Sequence, residues 1–176
     1  MRLYKVLDRD GKPFHGGNGV WPLPQNGPGE WLEVEGDLIP CHNGLHLCRE
    51  SDLLEWLGPC IYEAEYDGEM IECENKAVVR RARLIRGTAW SDRTARLFAC
   101  DCAERVLHLA DDPRCATAIE VARRFANDEA NEAELAAARD AVWAAARVAV
   151  RAAAWGAARE WQQQKLVELL DNHSND

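Results

Sequence analysis

Cys41, His42, His46 and Cys48 crowd four metal-ligating or nucleophilic side chains into a C-H-x3-H-x-C cluster. Thiolate and imidazole are zinc's preferred ligands, and Cys60, Cys73, Cys100 or Cys102 could complete a tetrahedral set. The chain has no C-x2-C pair, the spacing that marks a zinc site, and a free cysteine usually serves as a small buried core residue. No metal is therefore expected. On a strand, His46 and Cys48 would share one face. A hydrogen-bonded structural histidine is the expected role for His46, with a ligand or general base as the alternative.

A second group lies earlier in the chain. Phe14-His15-Gly16-Gly17 is similar to the His-Gly opening of ADP-ribosyltransferase-like folds, which would need Tyr62 or Tyr66 and Glu69 or Glu72 as partners. The spacing match is loose. The GGNG run that follows has no Lys-Ser/Thr ending and opens no helix, so a nucleotide phosphate site is not expected, nor any other cofactor. Trp21 and Trp31 flank the same Gly-rich stretch and leave a small-ligand site as a further alternative.

Two surfaces could bind a partner. Glu63, Glu65, Asp67 and Glu69 alternate along one segment and put like charges on one side, either as a solvated sheet face or as an acidic docking surface for a basic protein. Farther on, Arg139, Trp143, Arg147, Arg151, Trp155 and Arg159 recur every four residues within an alanine-rich run. A four-residue step drifts about 40° around a helix, so the stripe winds and forms no flat face. Trp and Arg are favoured hot-spot residues, and Trp143, Arg147, Arg151 and Trp155 are the candidates for a partner-binding ridge or a homodimer contact.

These groups need elements to hold them. Leu3 to Leu7 reads as a strand. The ten Gly and Pro residues between 11 and 29 allow only loop. Trp31 to Val34, Leu38 to Cys41 and Gly44 to Cys48 read as short strands, and Ser51 as the cap of a short helix over Asp52 to Leu57. Ile61 to Tyr66, an Asp67-Gly68 turn and Met70 to Cys73 read as a hairpin, with Ala77 to Ile85 as one more strand. At Trp90 the period changes to 3.6. Ser91 caps a helix carrying Phe98, Cys102, Val106 and Leu109, and Asp112-Pro113 opens another carrying Cys115, Ile119, Ala122 and Ala126. Asn131 and Glu134 form a capping box for a run that, unbroken to Leu170, would extend about 59 Å. The expected class is α+β: residues 1–88 a β-rich module, 91–170 a three-helix module, and 171–176 a disordered tail.

Charge narrows the partners. The net charge is −9, made of −10 over residues 1–75, +5 over 76–124 and −4 over 125–176. An acidic first part repels a phosphate backbone, which argues against nucleic acid. No stretch approaches the ~18 apolar residues of a membrane span, and MRLYKVLDRDGK lacks a signal-peptide core, so a cytoplasmic protein with seven reduced cysteines is expected.

YKVLDRDG, PCHNGLHLCRESDLL, IYEAEYDGEMIE and NKAVVRRARLIR together resemble an uncharacterised family common in phage and bacterial genomes, with Gly44-Leu45-His46-Leu47-Cys48 as its central motif. The stretch from Arg96 to Arg147 resembles the helical domain of immunity proteins encoded beside polymorphic toxins. Neither resemblance brings a catalytic residue. With the acidic first part and the absence of a catalytic motif, the immunity-like helices lead to the expectation of a non-enzymatic, phage- or mobile-element-encoded protein of anti-defence or immunity type that neutralises another protein. The enzymatic alternatives are the ADP-ribosyltransferase-like and metal-dependent ones.

Overall fold

The computed structural model describes residues 2–109, 112–139 and 155–171. The fold is α+β, with a small barrel-like sheet followed by helices. By internal packing the chain divides into two compact units, one made of the residues up to Trp90 with the chain from Val167 on, the other running from Ser91 to Leu166.

The first unit is built on five strands, β1 (Leu3–Leu7), β2 (Leu32–Glu33), β3 (Leu45–Arg49), β4 (Cys60–Glu72) and β5 (Ala77–Gly87). All pairings are antiparallel. β5 pairs with β3 and β4, β3 with β1, and β1 with β4, which closes a ring, while β2 is added on β5. Leu3, Leu7, Leu47, Ala64, Ala77, Val79, Ala82 and Leu84 pack with Trp21 as one buried cluster. Each fully buried leucine contributes roughly 1.5–3 kcal/mol. The alternation along β5 changes parity at the tandem Arg80-Arg81: Ala77 and Val79 before it, and Ala82 and Leu84 after it, all reach the core.

Several expectations from the sequence change here. Asp67-Gly68 is not a turn. β4 runs through it without a break, with a register shift between Asp67 and Met70 and Gly68 at φ +81°. Glycine takes that left-handed value inside a bulge at little cost, and Asp67 and Met70 still find Arg81 and Val79 on β5. The hairpin closes instead where the Cys73 N–H donates to the Lys76 carbonyl at 2.9 Å. Leu38 to Cys41 is not a strand either. Pro40 has no N–H for a ladder, and the Ile39 and Asn43 backbones bond each other across a tight turn that holds Cys41 at φ +67°. Trp31 to Val34 shortens to β2, with the Val34 N–H bonding the Arg80 carbonyl at 3.0 Å. The short helix is a 3-10 turn over Glu50–Glu55, and Ser51 does not cap it. Asp52 Oδ2 accepts from the Arg49 N–H at 3.2 Å and from Arg49 Nε at 2.7 Å, a charge-assisted pair that a hydroxyl cannot match.

The Gly- and Pro-rich loop is tied down at both ends. Pro13 bridges to Leu7, the Trp21 N–H donates to the Gly11 carbonyl at 2.9 Å, and the Gly29 N–H to the Leu84 carbonyl at 2.8 Å. At the other end of this unit, Arg2 pairs with Asp171 at 2.6 Å.

In the second unit, Ser91 Oγ accepts from the Thr94 N–H at 3.2 Å and starts α1 (Asp92–Arg105). α1 ends before Val106 and Leu109, which the expected stripe included. The Val106 N–H bonds the Ala103 carbonyl at 3.2 Å in a tightened last turn, and Leu107–Leu109 continue as a 3-10 turn. Asp112 Oδ1 accepts from the Arg114 N–H at 2.9 Å at the start of α2 (Arg114–Ala126). Arg123 on α2 bridges Asp101 at 2.7 Å and Glu104 at 2.6 Å on α1. The Asn131–Glu134 capping box is formed in both directions, at 2.9 and 3.0 Å. Residues 132–139 are helical, as is the segment Trp155–Asp171. The middle of the expected long helix, with Trp143, Arg147 and Arg151, lies outside the described residues, as does the expected tail beyond Asp171. No described helix is long and apolar enough to cross a membrane.

Two glycines test this architecture. A Cβ on Gly44, whose φ is +145°, would sit 2.3 Å from Val78 Cγ1, whereas one on Gly68 would meet nothing within 4 Å. Gly68→Ala should cost about 1 kcal/mol from backbone strain alone. Gly44→Ala adds overpacking and should cost at least about 2 kcal/mol. Thermal melts check the order, wild type above Gly68→Ala above Gly44→Ala.

Candidate functional site

β1 and β3 pair with Tyr4 opposite Cys48, so the opening Tyr-Lys and the Gly-Leu-His-x-Cys motif meet on one wall of the first unit. Lys5 has the parity of Leu3 and Leu7 and is itself buried. Its ammonium donates to the His46 carbonyl at 2.9 Å and lies 4.9 Å from the centre of the Trp21 ring. Burial pushes the Lys5 pKa down to about 8, with the Cys48 sulfur pulling the other way. The neighbouring Tyr4 hydroxyl donates to Glu50 at 3.3 Å.

Cys48 is buried in the same wall. Loss of solvent pushes its thiol up to about 12, although Lys5 opposes the shift. A thiol held protonated at neutral pH is a poor nucleophile and a poor metal ligand. His46 turns its ring toward the preceding turn, where Nε2 accepts the Cys41 N–H at 3.1 Å. An accepting nitrogen carries no proton, so the ring is neutral with its proton on Nδ1. Burial holds His46 below the ordinary histidine value, the Lys76 and Lys5 ammoniums add to this, and a backbone bond with Gly44 opposes it. Cys41 and His42 are exposed, and no group of three or more His, Cys, Asp or Glu side chains that could hold a metal ion occurs among the described residues.

Arg49 extends the wall. Beyond Asp52, its Nη2 donates to the Cys73 carbonyl at 2.7 Å and the Glu74 carbonyl at 2.8 Å, which ties β3 to the β4–β5 turn. Trp56 Nε1 donates to the Asn75 carbonyl of the same turn at 2.7 Å.

The four acids expected to form a docking surface each meet an arginine of β5. Glu63 receives Arg86 through two bonds, at 2.6 and 2.9 Å. Glu65 pairs with Arg83, Asp67 with Arg81 at 3.0 Å, and Glu69 with Arg80 at 2.6 Å. Arg81 and Arg83 also face the Trp31 ring, at 4.5 and 4.6 Å from its centre, and Glu33 of β2 stands 3.7 Å from Arg81. The result is a partly buried tryptophan approached by two guanidinium groups, each fixed by its own carboxylate. Exposed pairs of this kind contribute only about 0–1 kcal/mol each to stability, so their main effect is to fix the side chains.

The remaining sequence candidates are scattered. His15 Nε2 sits 2.8 Å from the Trp56 carbonyl and 3.1 Å from the Leu57 carbonyl, while Glu69 is with Arg80 and Glu72 lies 3.8 Å from Arg49. Trp21 belongs to the core, far from lining an open loop. Trp155 opens the C-terminal helical segment, and the placement of its side chain lies outside the described residues.

Sequence reasoning missed Lys5 and the β5 arginines. The signal for Lys5 was present, because strict alternation in LYKVL puts it on the face of Leu3 and Leu7. The arginines were hidden by the misplaced turn. With the turn at Cys73 to Lys76, the acids of IYEAEYDGEMIE run opposite the cations of NKAVVRRARLIR. Comparison with family models, with curated proteins and with solved structures found no match.

The His46 geometry has a pH signature. The folded ring binds its proton less readily than the unfolded chain, whose histidine titrates near ~6.5. Its contribution to stability is therefore complete above ~6.5 and is lost as pH falls through the lower folded value. The melting temperature should drop on acidification from about pH 7 to pH 5, and less so in His46→Gln. At neutral pH, His46→Gln should itself cost about 1 kcal/mol for the disturbed Cys41 bond. An NMR titration placing His46 at or above 6.5, with equal acid sensitivity in the variant, would contradict this geometry.

Proposed function

We propose that the chain is a non-enzymatic binding protein that occupies and neutralises another protein, using the outer face of β4 and β5. The observation that carries this reading is Trp31, which Arg81 and Arg83 both approach while Asp67 and Glu65 fix their guanidinium groups. Trp and Arg dominate the binding energy of protein interfaces, and preorganised side chains lose less entropy on binding. The residues best suited to chemistry support the same reading by their occupation: Lys5 and His46 bond backbone within the fold, and Cys48 is held as a thiol.

The partner's chemistry follows from the charges. Counted to residue 75 the chain stands at −10, but Lys76, Arg80, Arg81, Arg83 and Arg86 reduce the surplus to −5 by Trp90. A uniformly basic partner would meet four β5 arginines along with the acids. The face suits a partner with alternating charges of its own and an apolar pocket for the indole. Complementary alternation of this kind sets register and excludes wrong partners more than it adds raw affinity. The Trp143, Arg147, Arg151 and Trp155 ridge is a second contact in this proposal.

The test uses two variants of the full chain against the protein that co-purifies with it. Trp31→Ala should weaken binding by at least about tenfold, or ~1.4 kcal/mol. The charge-swapped double variant Glu65→Arg with Arg83→Glu keeps the internal pair and the melting temperature but inverts the displayed pattern, and should also release the partner. Undiminished binding by both folded variants would overturn the reading. So would loss of a measurable turnover in a folded His46→Gln protein.

A further inference from the structure

The turn before β3 and the turn before β5 bring one thiol and one amine together on the surface. Lys76 Nζ lies 3.1 Å from Cys41 Sγ, and Cys41 is exposed. Neither side chain reaches the other by chance rotation of a loose loop. Cys41 is held at φ +67° between Ile39 and Asn43, with its N–H on His46 Nε2. Asn43 Nδ2 anchors the same turn to the Glu35 carbonyl at 2.7 Å and the Asp37 carbonyl at 2.9 Å. On the other side, Arg49 and Trp56 grip the carbonyls of Cys73, Glu74 and Asn75 immediately before Lys76. The Lys76 ammonium also lies over the Trp56 ring, 5.7 Å from its centre.

We propose that Cys41 and Lys76 form an oxidation-dependent covalent cross-link, an S–N sulfenamide made when the protein meets hydrogen peroxide. In the first step the Cys41 thiolate attacks one oxygen of the peroxide: the S–O bond forms, the O–O bond breaks, and hydroxide leaves and takes a proton to become water. Sulfur loses two electrons and the peroxide gains them, which gives a sulfenic acid. In the second step Lys76, having released a proton to solvent, attacks that sulfur through its nitrogen lone pair. The S–N bond forms, the S–O bond breaks, and the hydroxyl departs as water with a proton from the nitrogen. This step involves no further oxidant. The sum is thiol, amine and one peroxide giving a sulfenamide and two waters, and a thiol reverses it by attacking the sulfur and freeing the amine.

Two competitors set this site's selectivity. Cys48, two residues beyond His46, is buried and reacts slowly by exclusion from solvent. Cys73, three residues before Lys76, is partly exposed and could in principle take the sulfenic sulfur as a disulfide of the same mass. The 3.1 Å amine is the group already in place. The link would fasten the turn that carries His46's backbone partner to the start of β5, the strand that presents the arginines.

The experiment treats the full chain with hydrogen peroxide and maps tryptic peptides with and without reductant. The expected product is about 2 Da lighter than the reduced protein, joins the peptide containing Cys41 to one uncut at Lys76, and disappears on treatment with dithiothreitol. It should persist in Cys73→Ser and vanish in Lys76→Arg, both of which should retain the wild-type melt when reduced. Two results would overturn the proposal. One is Cys41 carried to sulfinic or sulfonic acid with no joined peptide. The other is a joined peptide that survives Lys76→Arg and is lost in Cys73→Ser, which would be a disulfide.

Discussion

A buried ammonium sets the terms for the first unit. Taking a lysine out of water costs several kcal/mol unless its charge is met. The Lys5 ammonium has the His46 carbonyl at 2.9 Å and the Trp21 ring at 4.9 Å to meet it. Both depend on correct assembly elsewhere. His46 is in place only if β3 pairs with β1 in the observed register, and Trp21 only if the Gly-rich loop folds back so that its N–H bonds Gly11. One charge therefore makes the β1–β3 pairing and the loop conformation conditional on each other. The motif residues that looked chemical in the sequence, His46 and Cys48, join the unforeseen Lys5 as parts of the wall itself.

The same wall positions the outer face. Arg49 holds the turn between β4 and β5, and that turn fixes the register in which Glu63, Glu65, Asp67 and Glu69 meet Arg86, Arg83, Arg81 and Arg80. Charges that would repel along one strand are thereby neutralised across to the next. Such pairs are weak as stabilisers but strong as positioning devices, because each guanidinium loses its freedom before any partner arrives. Trp31 is the beneficiary, with two fixed cations within 4.6 Å of its ring centre.

Local signals were read correctly where local physics decides. The strands at Leu3 to Leu7 and from Ala77 were legible, and hydroxyl or amide caps located the helix starts at Ser91 and Asn131. The α+β class followed from the change of period near Trp90. The misplaced turn has one cause: a glycine signal has two structural solutions, and tertiary pairing selects between them. Asp67-Gly68 is a good turn in isolation, yet it became a bulge because β5 is long enough to pair on both sides of it. That one misplacement hid the ion-pair ladder and made Glu63 to Glu69 look like a bare acidic face. Lys5 was overlooked because a lysine in a strand is ordinarily solvated, although its parity said otherwise.

The account stands on the burial of Lys5, and its titration tests that most directly. With the folded pKa pushed down to about 8 and the unfolded value near ~10.4, the unfolded chain holds a proton that the folded protein has released, so stability rises with pH across that window. The full rise is about 3 kcal/mol. Cys48, held up at about 12, acts in the opposite direction above its ordinary value, so the informative quantity is the difference between wild type and Lys5→Met, which share Cys48. Denaturant unfolding of both proteins from pH 7 to pH 10 should show wild type gaining on the variant as pH passes 8. A flat difference across that range would mean that Lys5 titrates as a solvated lysine, and the buried wall would not exist as described.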